Sequence, residues 1–250
     1  MDQSIRICWY DLPESRRDEY LSWLHEIYLP KIQSRAGVIW VAHYEIIKTD
    51  AMIQKLSDFI GRPDPSESIP TGSQFAMMIA AGSPHYFFKP NFDDIECSDA
   101  TEKEMMSLPQ NLRAVVTAEQ ARVNGPEFGS RTTCSTPAPF IQLGHFCVRS
   151  VEEEFDLVSW YADYRFPAIA RMTGAIRARK MLTVAGWAKH VVMYEFTSRE
   201  SHEEHFMGHE SLAFTDGEWT NRVVLYTQHA PGSPSIGQRI WPKVDASEGN

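Results

Sequence analysis

The sequence predicts an α+β fold: two tandem βαββαβ units whose sheets pair into one intramolecular barrel. Three observations predict it. First, shifting the chain by 137 positions lays Ser22 and Trp23 on Ser159 and Trp160, Pro30 on Pro167, Ile32 on Ile169, Gly37 on Gly174, and Ile39 on Ile176. Those are six identities within 22–39, where chance composition gives about one. Second, the shared segment carries a helical pattern flanked by β-rich runs in both copies. Third, a four-stranded sheet with helices on one face leaves its other face apolar, and the second copy is the natural cover.

Each element follows from local pattern. The runs 4–11 (SIRICWYD) and 140–149 (FIQLGHFCVR) read as first strands, each followed by an acidic helix start, Glu14 and Glu152 to Glu154. Tyr20, Trp23, Leu24 and Ile27 recur at i, i+3, i+4 and i+7, as do Leu157, Trp160, Tyr161 and Tyr164, so each helix has one buried face. Gly37 and Gly174 end those helices, and second strands follow at 38–48 and 175–185. Third strands are expected at 73–81 and 189–197 and fourth strands at 113–121 and 222–229, with second helices near 101–107 and 200–212. The first repeat therefore spans 1–121 with an insertion at 49–72, a linker occupies 122–139, the second repeat spans 140–230, and a Pro/Gly/Ser-rich tail fills 231–250.

Composition narrows the function. The chain is 43% hydrophobic with a formal net charge of −9, enough for a core and without a basic run to follow a phosphate backbone, so no nucleic-acid partner is expected. Residues 1–11 lack the pattern of a secretory signal, and no apolar stretch is long enough to cross a bilayer, so the expectation is a cytoplasmic protein with no membrane partner. Cys8, Cys97, Cys134 and Cys147 form no CxxC pair and read as reduced structural thiols. There is no GxGxxG after a strand, no GxxxxGK[ST] and no GxSxG, which counts against nicotinamide, nucleotide and serine-hydrolase chemistry.

The arrangement resembles the dimeric α+β barrel superfamily of ferredoxin-like units. The helix-to-strand signature SWxx[ED]xx[LF]PxIxxxxGxI is most similar to its EthD, antibiotic-biosynthesis monooxygenase and NIPSNAP-like branches. The resemblance implies cofactor-free monooxygenases, lactone isomerases, lyases and cyclases, haem-binding enzymes or stress-response proteins. Many EthD-like sequences carry a His two residues before the helix proline. Here those positions hold Tyr28 and Arg165, a hydroxyl and a guanidinium suited to orienting a carbonyl or carboxylate.

Polar residues inside strands are the remaining candidates, because both faces of each sheet are covered. Arg177 and Arg179 share one face of a strand; inside a barrel they need a protein carboxylate or an anionic ligand, and on an edge they would meet exposed acids. His43, which aligns with Lys180, and His145, which the shift of 137 sets against Cys8, are candidate proton carriers or satisfied structural histidines. His145, His43, Tyr28 and Arg177 form the catalytic set, with Arg165, Arg179, Tyr44, Trp40 and Tyr164 as substrate-binding residues. His202, His205 and His209 share a helix face, but HEEH is not HExxH, and they read as a solvated surface without a metal.

The function these residues favour is proton-transfer chemistry, that of a lyase, isomerase or cyclase, without a nucleotide cofactor, on a carboxylated or phenolic substrate. A cofactor-free monooxygenase and a non-catalytic stress-response or ligand-binding barrel are the alternatives, and haem is conceivable but no motif singles out a ligand. The expected partners are a small anionic or aromatic molecule and, for assembly, a second copy of the chain. The working site is expected in the half containing Arg177 and His145.

Overall fold

The structure is a computed structural model that describes residues 1–47, 69–70, 72–88, 99–129, 137–209 and 218–245. The insertion expected at 49–72 and the cysteines Cys97 and Cys134 lie largely or wholly outside these residues; Cys8 and Cys147 are free thiols.

Four strands of the first copy, β1 (Ser4–Asp11), β2 (Val38–Ile46), β3 (Phe75–Ala81) and β4 (Gln110–Asn124), lie in the order β4-β1-β3-β2. In the second copy, β5 (Phe140–Cys147), β6 (Ala175–Ala185), β7 (His190–Phe196) and β9 (Ser235–Trp241) lie as β9-β5-β7-β6, the same order position for position. The copies join where β2 pairs with β9 and β4 with β6, all antiparallel. Eight strands thereby close into one barrel with no long unpaired edge. A two-residue strand, β8 (Gln228–His229), lies against the end of β5.

The helix that carries the repeat signature is built alike in both copies. In the first, α1 (Arg17–Trp23) passes through a widened π turn (Leu24–Tyr28) into α2 (Leu29–Gln33). In the second, α4 (Val151–Trp160) passes through a π turn (Tyr161–Arg165) into α5 (Phe166–Ile169). Pro30 and Pro167 have no N–H to continue the regular ladder, and the residue before each proline bonds five residues back, Leu29 N–H to Leu24 O and Phe166 N–H to Tyr161 O. Both helices end in a left-handed glycine, Gly37 at φ +94° and Gly174 at φ +76°. A side chain there would also collide, with the Tyr86 ring at Gly37 and with Ser201 at Gly174.

The shorter helices are α3 (Ala100–Met106) in the first copy, where one was expected, and α6 (Arg199–Ser201), which runs into a π turn (His202–Met207), in the second. The expected fourth strand at 222–229 is instead α7 (Glu218–Tyr226), and the true fourth strand is β9, inside the segment expected to be a tail. The run RVVLYTQH is β-rich by composition, yet Trp219, Val223 and Tyr226 fall three and four apart and pack on the second copy's core.

Three apolar clusters result. One fills the barrel interior, including Ile7, Trp9, Trp40, Tyr44, Leu143 and Met193. The other two lie between the outer sheet face and the helices, one in each copy. Pairing also corrects the alignment of the first strands. Ser4 opposes Ala81, the last residue of β3, and Phe140 opposes Phe196, the last residue of β7, an offset of 136. His145 therefore corresponds to Trp9, and the two rings meet at 4.0 Å inside the barrel, whereas Cys8 belongs to the helix-facing side. A one-residue slip turns every side chain of a strand to the opposite face, and one residue fewer between strand and helix is enough to cause it.

Candidate functional site

The nine residues singled out from the sequence divide among three compartments. Trp40, Tyr44, His145, Arg177 and Arg179 point into the barrel; His43 and Tyr28 lie under the first copy's helices; Arg165 and Tyr164 belong to the second copy's helix.

Inside the barrel, Arg177 and Arg179 are the buried pair expected of an inward-facing strand, and protein carboxylates neutralise them. Glu195 on β7 accepts from Arg177 Nε, from Arg177 Nη2 at 3.0 Å and from Arg179 Nε at 3.3 Å, while Arg179 Nη1 lies 2.7 Å from Asp2. Trp40 Nε1 donates to Asp2 at 2.8 Å, and Arg122 links Asp2 with Glu119. Burial alone would raise the Glu195 carboxyl, but the two guanidiniums outweigh it and hold the group below the ordinary carboxylate range. Tyr44 Oη donates to Ala138 O, and Ala138 N–H donates to Glu195, so Tyr44 is tied into the same network. Three guanidiniums thus face three carboxylates.

The second copy's helix layer encloses a half-open cavity of about 90 Å³. Its floor is the outer face of β5 and β7, at Gln142, Gly144, Phe146, Val192 and Tyr194, and its walls are Trp160, Tyr161, Phe206, Val223 and Thr227, with His229 at the side. Arg165, last residue of the π turn, is 2% exposed and lies over the Trp160 ring at 4.6 Å, with Phe206 at 5.5 Å and Tyr194 at 5.8 Å. Trp160 is fixed by Nε1 donating to Thr220 at 3.0 Å. Such a cavity offers a guanidinium to an anion and ring faces to an aromatic plane. Gly144 keeps the floor open, since a methyl there would press on Val192.

Behind Tyr161 runs a polar chain. Lys180 Nζ lies 5.6 Å from the Tyr161 ring and 3.2 Å from His190 Nδ1, and His190 Nε2 meets Glu154 at 3.1 Å. Burial lowers the Lys180 ammonium to about 8 and the His190 imidazole to about 4. His202, expected on the surface, is buried and bonds Gln142 at the cavity floor at 2.7 Å, its pKa lowered by burial to about 4. Among the described residues no group of three His, Cys, Asp or Glu side chains is placed to hold a metal.

At the corresponding place in the first copy other side chains stand. Tyr28 occupies the place of Arg165 and stacks on Trp23 at 5.2 Å, and His43 is wedged between Tyr10 Oη and His25 Nε2, each at 2.8 Å. Burial, then His25, push the His43 imidazole well below its ordinary value, so it is neutral. Tyr164, 37% exposed, stacks on Trp160 at 6.0 Å.

A haem does not fit the cavity: a macrocycle is several times larger than about 90 Å³, and Trp160, Tyr161, Tyr194 and Phe206 already fill the surrounding space between sheet and helices. Sequence reasoning missed Gln142, Tyr194, Phe206, Thr227 and His229. The alternation of β5 and β7, which turns these two positions to the helix side, could have indicated the first two, but the others depend on helices at 202–207 and 218–226 whose orientation no short motif records.

No family model matches this chain, and no curated protein matches it in sequence. Solved structures do resemble it. A protein of Fusobacterium nucleatum assigned as a monooxygenase aligns with a TM-score of 0.57 at 9% identity over 95% of this chain and 92% of its own. A dye-decolorizing peroxidase of Bacteroides thetaiotaomicron gives 0.55 at 10% identity over 96% and 93%. A protein assigned as a chlorite dismutase gives 0.51 at 11% over 100% and 97%. At these identities the likeness shows a common fold, and the chain is an α+β barrel of two ferredoxin-like halves.

Proposed function

We propose that the chain is a small-molecule enzyme that oxygenates a monocyclic phenolate or carboxylated aromatic in the cavity of its second half. The observation that carries this reading is Arg165, a buried guanidinium laid over Trp160 at the back of an aromatic-walled, half-open space. A cavity of about 150 Å³ holds benzene, so a single ring would fill this one while its edge stays in the open mouth. Arg165 would keep the bound phenol ionised, and the ring walls would exclude water from the electron-rich carbon that meets dioxygen; one oxygen atom enters the ring, and the ring itself supplies the two electrons and two protons that reduce the other to water, so that a phenol leaves as a quinone. Neighbours of the same fold assigned as monooxygenases support oxygenation over the other chemistries of such barrels.

Proton transfer without oxygen, the chemistry of a lyase or isomerase, is the second reading. The Lys180–His190–Glu154 chain favours it, because an amine lowered to about 8 exchanges protons near neutrality. Oxygen uptake during incubation with a panel of monocyclic phenols and hydroxybenzoates separates the two. Uptake matched to product formation supports oxygenation. An isomerised or cleaved product without uptake supports proton transfer, and no turnover of any panel member overturns the enzyme reading for this substrate class.

A further inference from the structure

A second polar cluster lies inside the barrel, away from the cavity. Trp9 and Arg113 are cross-strand partners on β1 and β4, with the guanidinium 4.5 Å over the indole, and His145 on β5 meets the same indole from across the barrel at 4.0 Å, their planes at 86°. The loop after β8 caps this end: Ala230 N–H donates to His145 O, His145 N–H donates to Ser233 Oγ, and Arg113 Nη1 reaches Pro231 O at 3.5 Å. All three side chains are buried, Trp9 and His145 at 0% exposure and Arg113 at 5%.

Most of their hydrogen-bonding capacity is unused. Trp9 Nε1, Arg113 Nε and both ring nitrogens of His145 have no hydrogen-bond partner, and Arg113 faces no carboxylate among the described residues. That contrasts with the other end of the barrel, where Arg122, Arg177 and Arg179 each face a carboxylate. Orphaned donors and a lone buried cation each carry a desolvation cost that natural interiors rarely leave uncompensated. The charge to be matched is a single positive one, and the donors are a guanidinium, an indole N–H and one imidazole N–H. Burial, then Arg113, keep His145 neutral, so the site does not carry a second positive charge.

We propose that Trp9, Arg113 and His145 form a binding site for one small monovalent anion, a halide ion or the carboxylate of a small acid. The site is separate from the aromatic cavity and does not depend on its chemistry.

The test is thermal unfolding of the full chain in sodium bromide against sodium gluconate at equal ionic strength, with a third series in sodium acetate. Gluconate is too bulky to enter. Bromide or acetate should raise the melting temperature saturably, with the unfolding constant reduced elevenfold at ten times the apparent Kd. Bromide acting alone identifies a halide site, and acetate acting alone a carboxylate site. Arg113→Met should abolish the difference between bromide or acetate and gluconate, whatever the melting temperature of the variant in gluconate. Crystals of the unmutated protein soaked in bromide should show an anomalous peak bounded by the three side chains. A response equal in all three salts, a bromide or acetate response unchanged in Arg113→Met, or a soaked crystal without that peak in the face of a bromide response overturns the proposal. If Arg113→Met does not fold, the salt comparison and the crystal decide it.

Discussion

Replacing Glu195 by Gln keeps the shape of the side chain and removes one of three carboxylates facing three guanidiniums inside the barrel. Glu195 is 0% exposed and Arg177 2%, so water cannot replace the lost charge. Arg177 would face a neutral amide in place of its carboxylate, and Arg179 would lose Glu195 while keeping Asp2. Breaking a buried pair from one side costs about 3–5 kcal/mol, and at ~2–4 °C per kcal/mol for a chain of this size the melting temperature should fall by roughly 6–20 °C. The pairing also fixes a pH dependence. The Glu195 and Asp2 carboxyls are held below their ordinary values, Glu195 by Arg177 and Arg179 against the opposing effect of burial. Their contribution is therefore complete above the unfolded-state carboxylate range, about pH 4–5, and is lost as pH falls through and below it. Calorimetry and urea unfolding of the unmutated protein and Glu195→Gln between pH 3 and 7 would measure both effects. A loss under about 1 kcal/mol at pH 7, or an unchanged acid limb, would refute the account of the interior as a closed ionic network.

Other perturbations separate stability from binding. Trp23→Ala and Trp160→Ala should each cost about 3 kcal/mol or more by urea unfolding, but only Trp160→Ala should weaken aromatic ligands, since Arg165 rests on that ring. Gly174→Ala, at φ +76° and against Ser201, should destabilise by at least ~1 kcal/mol, and Gly37→Ala likewise. Because burial lowers His190 and His202 to about 4, each is neutral when folded and adds stability that is lost as pH falls from about 6.5 towards 4; His202→Gln should reduce that slope by up to one proton, about 1.4 kcal/mol per pH unit. A chain ending near position 130 loses the partners of β2 and β4 and should not fold as a soluble monomer; cooperative unfolding of such a fragment would contradict the closed barrel.

The repeat was legible because its signature is backbone chemistry. A proline that interrupts a helix and a glycine that ends it in the left-handed region act locally, so Pro30, Gly37, Pro167 and Gly174 mark the same π turn and the same exit in both copies. What strand alternation could reveal was the pairing of inward positions within a strand, as with Arg177 and Arg179. It could not reveal register between copies, and one residue separates His145 facing Trp9 from His145 matched to Cys8. The fourth strand of the second copy escaped notice because Ser235–Trp241 lies among prolines and glycines, while the more strand-like 222–229 is mostly helix. Partners decided the roles. Arg177 looks like an anion binder until Glu195 is placed beside it, whereas Arg165, expected as a substrate-binding residue because it stands where a histidine is common, does line the second-half cavity.

The central claim is that the second half, through Arg165, binds an aromatic anion and that the first half, with Tyr28 in the corresponding position, does not. Titration with 4-nitrophenol near its solution pKa, followed through the phenolate absorption band, tests it directly. The account predicts one equivalent bound as the anion by the unmutated protein. Binding should weaken by roughly thirtyfold, about 2 kcal/mol, in Arg165→Met, and should be unchanged in Tyr28→Phe, the corresponding position of the first half. Binding that survives Arg165→Met and fails in Tyr28→Phe would contradict it.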